Sequence, residues 1–192
     1  MKLVVVDFDN TLLKKDSFFY FILFDRGFFR LASILILFLP LLVIVKFFPS
    51  LGGYAKSCIL KFVYRNRTVD DFLKSGDLFF NYLKDNNYFN SELLSYLHSL
   101  QEKGYEICIV SASPDFIIKP VAVAYNYTFI ATQFRFVEGR FTGKYSGKNC
   151  KGVEKVVRIK QKYDLNALTH LIAIGNKDDK EMLDLADESI LI

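Results

Sequence analysis

The sequence predicts an α/β protein with a mostly parallel sheet, helices on both faces and an inserted apolar α-helical segment. Short apolar runs without helical spacing alternate with longer amphipathic segments, as expected for strands and helices of such a sheet. Polar residues follow several of these runs. One stretch, Arg26 to Val69, has no acidic residue in 44 positions. A chain of 192 residues is long enough for one domain with an inserted module.

Charge divides the chain into two regions. The formal charge is +4, from 25 Lys and Arg against 21 Asp and Glu, with +7 in Arg26–Val69 and −3 elsewhere. Basic residues in that stretch lie among Leu, Ile and Phe, so nucleic-acid binding is not expected. A hydrophobic content of 52% excludes a disordered chain. We predict a core of residues 1–15 and 86–192 and a helical insert of residues 16–85, apolar and basic at 26–69.

The first half of the chain predicts one strand and a series of helices. Leu3–Val6 is a short apolar run that predicts a buried strand. Ser17–Tyr64 is rich in Phe, Leu and Ile and predicts helices, and Val69–Asp85 has amphipathic helical spacing. Asn90 is predicted to cap the next helix, which Gly104 ends.

The second half alternates strands and helices. The predicted strands are Tyr105–Val110, Tyr127–Thr132, Leu168–Ile174 and Ser189–Ile192. Three helices are predicted between and after these strands. The first begins at Pro114-Asp115, the second covers Gly152–Tyr163 and the third covers Asp179–Ala186. Gln133–Tyr145 alternates around Gly139 and predicts a β-hairpin.

Cysteines and the N-terminal residues indicate a cytoplasmic protein. Cys58, Cys108 and Cys150 are widely spaced and form no CxxC pair, so we expect reduced thiols and neither a disulfide framework nor a zinc site. The apolar run after Met1 is too short for a signal peptide, so no export is expected.

Two carboxylates follow the first predicted strand, in Asp7-Phe8-Asp9-Asn10-Thr11. Carboxylates that leave a buried strand must be solvated, paired or bound to a metal. A calcium-binding EF-hand loop is excluded, because Leu12 and Phe18 stand where Gly and Glu are required. Active sites of parallel sheets lie beyond the carboxyl ends of the strands, which makes this segment a candidate.

Three later segments carry polar residues at comparable positions. Ser111-Ala112-Ser113-Pro114 places a hydroxyl and free backbone N–H groups ahead of a helix, as in an anion site. Lys155, with Lys151 nearby, begins the helix after the hairpin. Gly175-Asn176-Lys177-Asp178-Asp179 offers an amide and a carboxylate to a hard-oxygen site that suits Mg²⁺. Each segment alone is also typical of a helix cap or a solvated surface. The evidence for a functional site is therefore the combination of these segments.

The segments DFDNT, IVSAS, GVEKV and GNKDD-KEML, in this order, resemble the haloacid dehalogenase superfamily of phosphotransferases. The resemblance is greatest to the branch that includes phosphoserine phosphatases. It implies a Rossmann-like core with a helical cap between the first and second motifs, and a Mg²⁺ cofactor. Dehalogenating members lack the second aspartate of the first motif, so Asp9 favours phosphate chemistry.

The resemblance implies a role for each matching residue. Asp7 is the implied nucleophile, which forms an aspartyl-phosphate, and Asp9 the implied acid and base. Ser111 is implied to bind a phosphoryl oxygen, and Lys155 to neutralise charge. The implied substrate contacts are Thr11, Asp16 and Ala112, and the implied Mg²⁺ ligands are Asp7, the Asp9 carbonyl, Asn176 and Asp179.

Two features depart from the family pattern. Asn176 stands where the family usually has Asp, which removes one negative charge, although an amide oxygen still ligates Mg²⁺. The segment between Gly175 and Met182 is slightly shorter than usual, so Asp178 remains an alternative to Asp179. Lys151 likewise remains an alternative to Lys155.

The apolar stretch predicts contact with a membrane. Leu31–Val45 is a run of 15 uncharged residues, interrupted by Pro40 and bounded by Arg30 and Lys46. It is short for a transmembrane helix, which needs about 20 residues. Asp7 precedes this stretch and the other predicted site residues follow it, so a single crossing would separate them. The insert must re-enter, lie in the interface or form a hairpin. The alternative is a packed cap, or one buried in a homodimer.

The insert also carries a second resemblance. DSFFYF through LFLPLLVIVKFF, with CKGVEKV, is similar to bacterial phosphatidylglycerophosphate phosphatases of this superfamily. We therefore expect a Mg²⁺-dependent phosphomonoesterase that acts on a lipid-linked or amphiphilic phosphate at the inner face of the cytoplasmic membrane. One alternative is a soluble phosphatase of a small metabolite such as phosphoserine, with a dimerising cap. Another is a non-catalytic membrane-associated module, which Asn176 suggests.

Overall fold

A five-stranded parallel sheet forms the centre of the protein. The computed structural model describes residues 1–192. Its strands are β1 (Lys2–Val6), β2 (Tyr105–Pro114), β3 (Thr128–Thr132), β6 (His170–Gly175) and β7 (Glu188–Leu191). Their order is β3-β2-β1-β6-β7. A separate antiparallel hairpin consists of β4 (Phe134–Val137) and β5 (Arg140–Tyr145), as its alternation predicts.

The protein has eight α-helices. They are α1 (Ser17–Arg26), α2 (Phe28–Phe47), α3 (Gly52–Tyr64), α4 (Val69–Asp85), α5 (Ser91–Glu102), α6 (Asp115–Tyr125), α7 (Val153–Lys162) and α8 (Lys180–Leu183). Short 3₁₀ turns cover Pro49–Leu51, Leu165–Ala167 and Lys177–Asp179. The predicted α/β class, with its parallel sheet and its inserted apolar helices, is confirmed.

Local side-chain bonds explain several helix boundaries. Thr68 and Asp71 form a capping box at the start of α4, which satisfies N–H groups that have no partner inside the helix. Asn90 accepts a hydrogen bond from the Leu93 backbone N–H at 3.2 Å, as its position predicts. Gly104 follows α5 with a φ of +80°, a conformation that favours glycine.

Three predicted boundaries are wrong by two residues or more, while others differ by one residue. β2 continues past Val110 to Pro114, because Ser111 pairs with Ala131 and Pro114 with Thr132 across a bulge. The last helix is α8 alone, since Leu185 and Ala186 already make the i to i−3 bonds of turns. β6 begins two residues later than predicted, at His170, after the 3₁₀ turn that Asp164 caps.

One apolar core extends from the sheet into the inserted helices. Rings from α1, α4 and α6 meet there, with the Phe72 and Phe116 centroids 4.4 Å apart and those of Phe21 and Phe79 5.3 Å apart. A second cluster, with Val5 and Ile159, lies on the other face of the sheet. The inserted helices are thus packed against the sheet through a shared core, while the predicted domain boundaries stay a prediction.

Gly76 sets the distance between α4 and α6. A Cβ atom at this position would lie 2.1 Å from the carbonyl oxygen of Phe116. We expect Gly76→Ala to lower the free energy of unfolding by about 2 kcal/mol, because overpacking outweighs the gain in helix propensity. Urea denaturation checks this, with Gly52→Ala as the control, since its Cβ would meet Val45 at an ordinary 3.7 Å. Equal stability of the two variants would contradict the close approach.

Candidate active site

A pocket of about 320 Å³ lies at the carboxyl end of the sheet, where the polar segments of the sequence converge. Its wall combines residues that follow β1 and β6 with others from β2, α3 and α7. The lining residues are Asp7, Asp9, Asn10, Asp16, Lys56, Ala112, Lys151, Lys155, Asn176, Asp178 and Asp179. The four predicted polar segments, together with Lys56 of α3, therefore meet in one pocket.

Asp7 is buried in the floor of this pocket and has three polar partners. Its Oδ1 accepts from Lys155 Nζ at 2.5 Å, and its Oδ2 accepts from Thr11 Oγ1 at 3.0 Å and from Asn176 Nδ2 at 3.3 Å. Burial raises the pKa of Asp7 to about 6, against the opposing effect of Lys155. The ion pair with Lys155 favours the ionised carboxylate, which is the form that a nucleophile needs.

Lys155 and Lys151 occupy different environments. Lys155 is buried, and its Nζ also donates to Asp179 Oδ1 at 2.6 Å. Burial alone would lower the pKa of Lys155, but Asp7 and Asp179 outweigh burial and raise it, so the side chain stays charged. Lys151 is 57% exposed and lies 3.6 Å from Asp178 at the rim. The structure thus brings Lys155 to Asp7 and leaves Lys151 at the pocket entrance.

Two serines hold the Asp9 carboxylate. Its Oδ2 accepts from Ser113 Oγ at 2.5 Å and its Oδ1 from the Ser17 backbone N–H at 2.6 Å. The two hydroxyls lie 2.7 Å apart and share a hydrogen bond. Burial, and then the charge of Asp16, raise the pKa of Asp9, while Lys56 opposes them. A raised pKa favours the protonated form that a general acid needs.

Sequence reasoning assigned no role to Ser17, Ser113 or Lys56. Ser113 lies two residues beyond Ser111 on an extended segment, so the alternation of side chains could have placed both on one face. Ser17 directly follows Asp16 as the first residue of α1, and a helix N-terminus attracts carboxylates. No sequence signal distinguishes Lys56 from the other basic residues of the cap.

The remaining predicted contacts divide between the pocket wall and the layer beneath it. Ala112 lines the pocket, and Asp16 lines it while capping α1 through the Phe18 N–H at 2.9 Å. Ser111 is fully buried outside the lining, and its Oγ accepts from the Ser113 N–H at 3.0 Å. Thr11 is buried and bonds Asp7. Their roles in substrate binding stay predictions.

Asn176 marks the point where several oxygens converge. Its Nδ2 lies 3.2 Å from the Asp9 carbonyl oxygen, 3.3 Å from Asp7 Oδ2 and 3.4 Å from Thr11 Oγ1. Asp179 is engaged at both oxygens, by Lys155 and by the Asn176 backbone N–H at 3.0 Å. Asp178 is exposed, and its N–H donates to Asn176 Oδ1 at 2.9 Å.

The charge and donor set of the pocket fit Mg²⁺. Five aspartates against three lysines line it, a formal charge of −2 that would repel a phosphate dianion. No three His, Cys, Asp or Glu side chains are grouped closely enough to hold a metal by themselves. An ion would therefore depend on the Asp7 carboxylate and the Asp9 carbonyl, which are hard oxygen donors of the kind that Mg²⁺ prefers. Asn176 turns its Nδ2 toward them while its Oδ1 accepts from the Asp178 N–H, so the amide would have to turn over to offer its oxygen to an ion.

Comparison with known proteins finds similar chains and similar folds over nearly the whole sequence. The chain is 29% identical over 188 residues to protein CicA of Caulobacter vibrioides, covering 97% of this chain and 83% of that protein. A Bordetella pertussis protein of unknown function has a similar fold, with a TM-score of 0.78 at 18% identity over 99% of this chain and 89% of that one. A substrate-bound phosphoserine phosphatase has a TM-score of 0.67 at 13% identity, over 99% and 85%.

The family assignment rests on nearly the whole chain. The match to the haloacid dehalogenase-like hydrolases extends over residues 4–183, which includes all four motifs and the inserted helices. It confirms the predicted superfamily, while the resemblance to phosphatidylglycerophosphate phosphatases stays a prediction. The chain belongs to the haloacid dehalogenase-like hydrolase family.

Proposed function

We propose that this hydrolase is a Mg²⁺-dependent phosphomonoesterase that forms an aspartyl-phosphate on Asp7. The observation that carries the proposal is the buried Asp7 carboxylate, paired with Lys155, beside a second aspartate held by two serines. An aspartyl-phosphate and Mg²⁺ are general to phosphatases of the family. Its structural likeness to phosphoserine phosphatases supports the same chemistry.

In the first half of the reaction, a carboxylate oxygen of Asp7 attacks phosphorus and the bond from phosphorus to the ester oxygen breaks. Protonated Asp9 gives its proton to the departing alkoxide, which leaves as an alcohol. The raised pKa of Asp9 suits this task. Lys155 offsets negative charge on Asp7 and on the transferring group.

In the second half, Asp9 is ionised and takes a proton from a water molecule that attacks the phosphorus of the aspartyl-phosphate. The bond between phosphorus and the Asp7 oxygen breaks, which releases phosphate and restores the carboxylate. Ser17 and Ser113 hold Asp9 in one orientation for both proton transfers. When bound, Mg²⁺ supplies positive charge to the phosphoryl oxygens.

We further propose a lipid-linked or amphiphilic phosphate as the substrate, at the inner face of the cytoplasmic membrane. A second pocket of about 470 Å³ adjoins the first and shares Lys56, Ala112 and Lys151 with it. Its other walls are Pro49, Ser50, Gly52, Gly53 and Asn149, and it contains no acidic residue. It lies next to the exposed Phe47 and Phe48, so a polar leaving group has room between the phosphate site and the apolar cap.

A phosphate-release assay tests the substrate class. We expect Mg²⁺-dependent release from phosphatidylglycerophosphate in vesicles, little release from phosphoserine, and none with chelator. The Asp7→Asn variant measures the background. Activity on phosphoserine alone would overturn the lipid assignment and leave the catalytic proposal intact.

A soluble phosphatase of a small metabolite is the second candidate. Asp16 favours it, because its carboxylate faces the pocket from the position where the resemblance to phosphoserine phosphatases implies a substrate contact. Flotation with anionic vesicles separates the two candidates. A soluble metabolite phosphatase would remain in the soluble fraction, whereas a membrane-associated lipid phosphatase would float with the vesicles.

Asn176 sets the charge near the predicted metal position. We expect Asn176→Asp to lower the Mg²⁺ concentration for half-maximal activity by about tenfold, because affinity rises with ligand charge. Asn176→Ala should raise it, since the amide is lost. Magnesium titration of phosphate release measures both, with Asn149→Asp as the control on the neighbouring pocket wall. An unchanged magnesium requirement in both Asn176 variants would remove this residue from the metal site.

A further inference from the structure

One face of α2 packs against the protein along most of its length. Ile34 is fully buried, and Leu31, Phe38 and Leu42 are partly buried against the same core. These positions recur every three to four residues and so form one stripe on a helix. The Phe38 ring meets that of Phe62 on α3, with centroids 5.7 Å apart. The helix therefore lies along the body of the protein and does not project from it.

The opposite face of α2 is apolar and exposed. Phe29 is 87% exposed, Ile36 74% and Phe47 72%. The exposed positions also include Leu37, Leu39, Val43 and Ile44. A continuous row of large, exposed apolar side chains indicates that this face binds another protein or a membrane. By length and composition α2 is also the one helix that could cross a membrane.

Basic side chains border this exposed face. At 3.6 residues per turn, Arg30 and Lys46 project roughly a quarter-turn to either side of the line through Phe29, Ile36 and Phe47. No acidic residue lies between positions 26 and 69. Positive charge beside an apolar face is the pattern of a helix that lies in the interface of an anionic bilayer.

The start of α2 is fixed to the body by an ion pair. Asp25, at the end of α1, accepts two hydrogen bonds from the Arg67 guanidinium, at 2.8 and 3.0 Å, and one from Ser75 Oγ at 2.7 Å. Bidentate pairs of this kind hold their geometry well. A rotation of α2 out of the body into a bilayer would also have to expose Ile34 and its neighbours.

We propose that α2 lies parallel to the membrane plane, with the face of Phe29, Ile36 and Phe47 embedded in an anionic lipid surface and the stripe of Ile34 on the protein. This arrangement keeps Asp7 and Lys155 on one side of the membrane, although the chain between them contains α2. A second copy of the chain fits the face less well, because pairing two such helices brings basic borders together without an acidic partner. This inference rests on the membrane location given under the proposed function, and it does not depend on the proposed catalytic chemistry.

Tryptophan fluorescence measures the depth of α2 directly, because the chain contains no Trp. Phe29→Trp, Ile36→Trp and Phe47→Trp each introduce one reporter on the exposed face, and Val123→Trp, 71% exposed on α6, is the control. With vesicles of phosphatidylglycerol and phosphatidylcholine that carry bromine at shallow or deep acyl positions, we expect similar quenching of the three α2 reporters by the shallow label. The control should not be quenched.

Two results would overturn the in-plane arrangement. Deep quenching of the Ile36→Trp reporter, with shallow quenching at the two ends, would mean that α2 crosses the bilayer. Absence of quenching at all three positions would mean that lipid does not cover this face, and sedimentation of a dimer would then identify the second copy as its partner. Both readouts are made without substrate, so failure of the proposed phosphatase activity would not affect them.

The basic borders give an independent check on the lipid. Replacing Arg30 or Lys46 with Gln should weaken binding to the same vesicles about fivefold each. Lys84→Gln, on the surface of α4, is the matched control and should not change binding. Equal binding by all variants would exclude the proposed charge contact.

Discussion

Replacing Asp7 with Asn is expected to lower kcat by at least about 10³-fold, since removal of a nucleophile eliminates the covalent step. The Asn amide oxygen can still accept from Lys155 in the place of Oδ1, and Lys155 keeps its bond to Asp179. The Asn NH2 group then takes the place of Oδ2, where the Thr11 hydroxyl can turn to accept from it. The variant should therefore fold, and circular dichroism can verify this. Phosphate release from a generic aryl phosphate measures the effect.

Asp178→Asn is the matched control for this variant. Asp178 lines the same pocket but is exposed, and its nearest charge is Lys151 at 3.6 Å. We expect it to retain most of its activity. Full activity in Asp7→Asn would show that another group attacks phosphorus, and equal losses in both variants would point to pocket charge in place of a nucleophile.

Replacing Lys155 with Met is expected to lower kcat by about 10²- to 10³-fold, as expected for loss of a group that stabilises developing charge. Lys151→Met should have a much smaller effect, because Lys151 is exposed and contacts Asp178 and not Asp7. The two variants therefore decide which lysine serves the reaction. A larger loss in Lys151→Met would reverse the assignment.

Lys155→Met should also destabilise the fold in a pH-dependent way. Removing the lysine leaves Asp7 and Asp179 buried without a cation, a change that costs about 3 to 5 kcal/mol for buried pairs. The pKa of Asp7 is already raised to about 6 by burial, and the lysine opposes that rise. Without the lysine, folded Asp7 binds protons more tightly than the unfolded chain does, so stability falls as pH rises.

Urea denaturation in chelator measures this dependence. We expect the deficit of Lys155→Met, relative to the unsubstituted protein, to be larger at about pH 8 than at about pH 5. A deficit that is the same at both values would indicate lost packing and not an unpaired carboxylate.

The order of the strands and helices is predictable because each element carries a local signal. The run Leu3–Val6 has no helical spacing, Asn90 caps a helix in the expected way, and Gly139 lies in the turn of a hairpin. The same locality explains the errors. The continuation of β2 to Pro114 depends on pairing with β3, and a contact between distant residues leaves no mark in the local pattern.

The candidate site was only partly predictable. Asp7, Asp9 and Lys155 lie in motifs whose order suggests that they meet, and the structure brings them together. The bond from Ser113 to Asp9 joins residues 104 positions apart, and no local pattern indicates that these two side chains pair. The face by which α2 packs was also unpredictable, because a helix that is apolar on all sides has no preferred side until Ile34 meets the core.

The most direct test of the central claim is to trap the phosphorylated enzyme. The reaction should be quenched in acid during turnover with Mg²⁺, digested, and analysed by mass spectrometry. The proposed mechanism predicts one added phosphoryl group on Asp7, in the peptide that follows β1, and none in Asp7→Asn. A phosphoryl group on any other residue, or turnover without a phosphorylated enzyme, would contradict it.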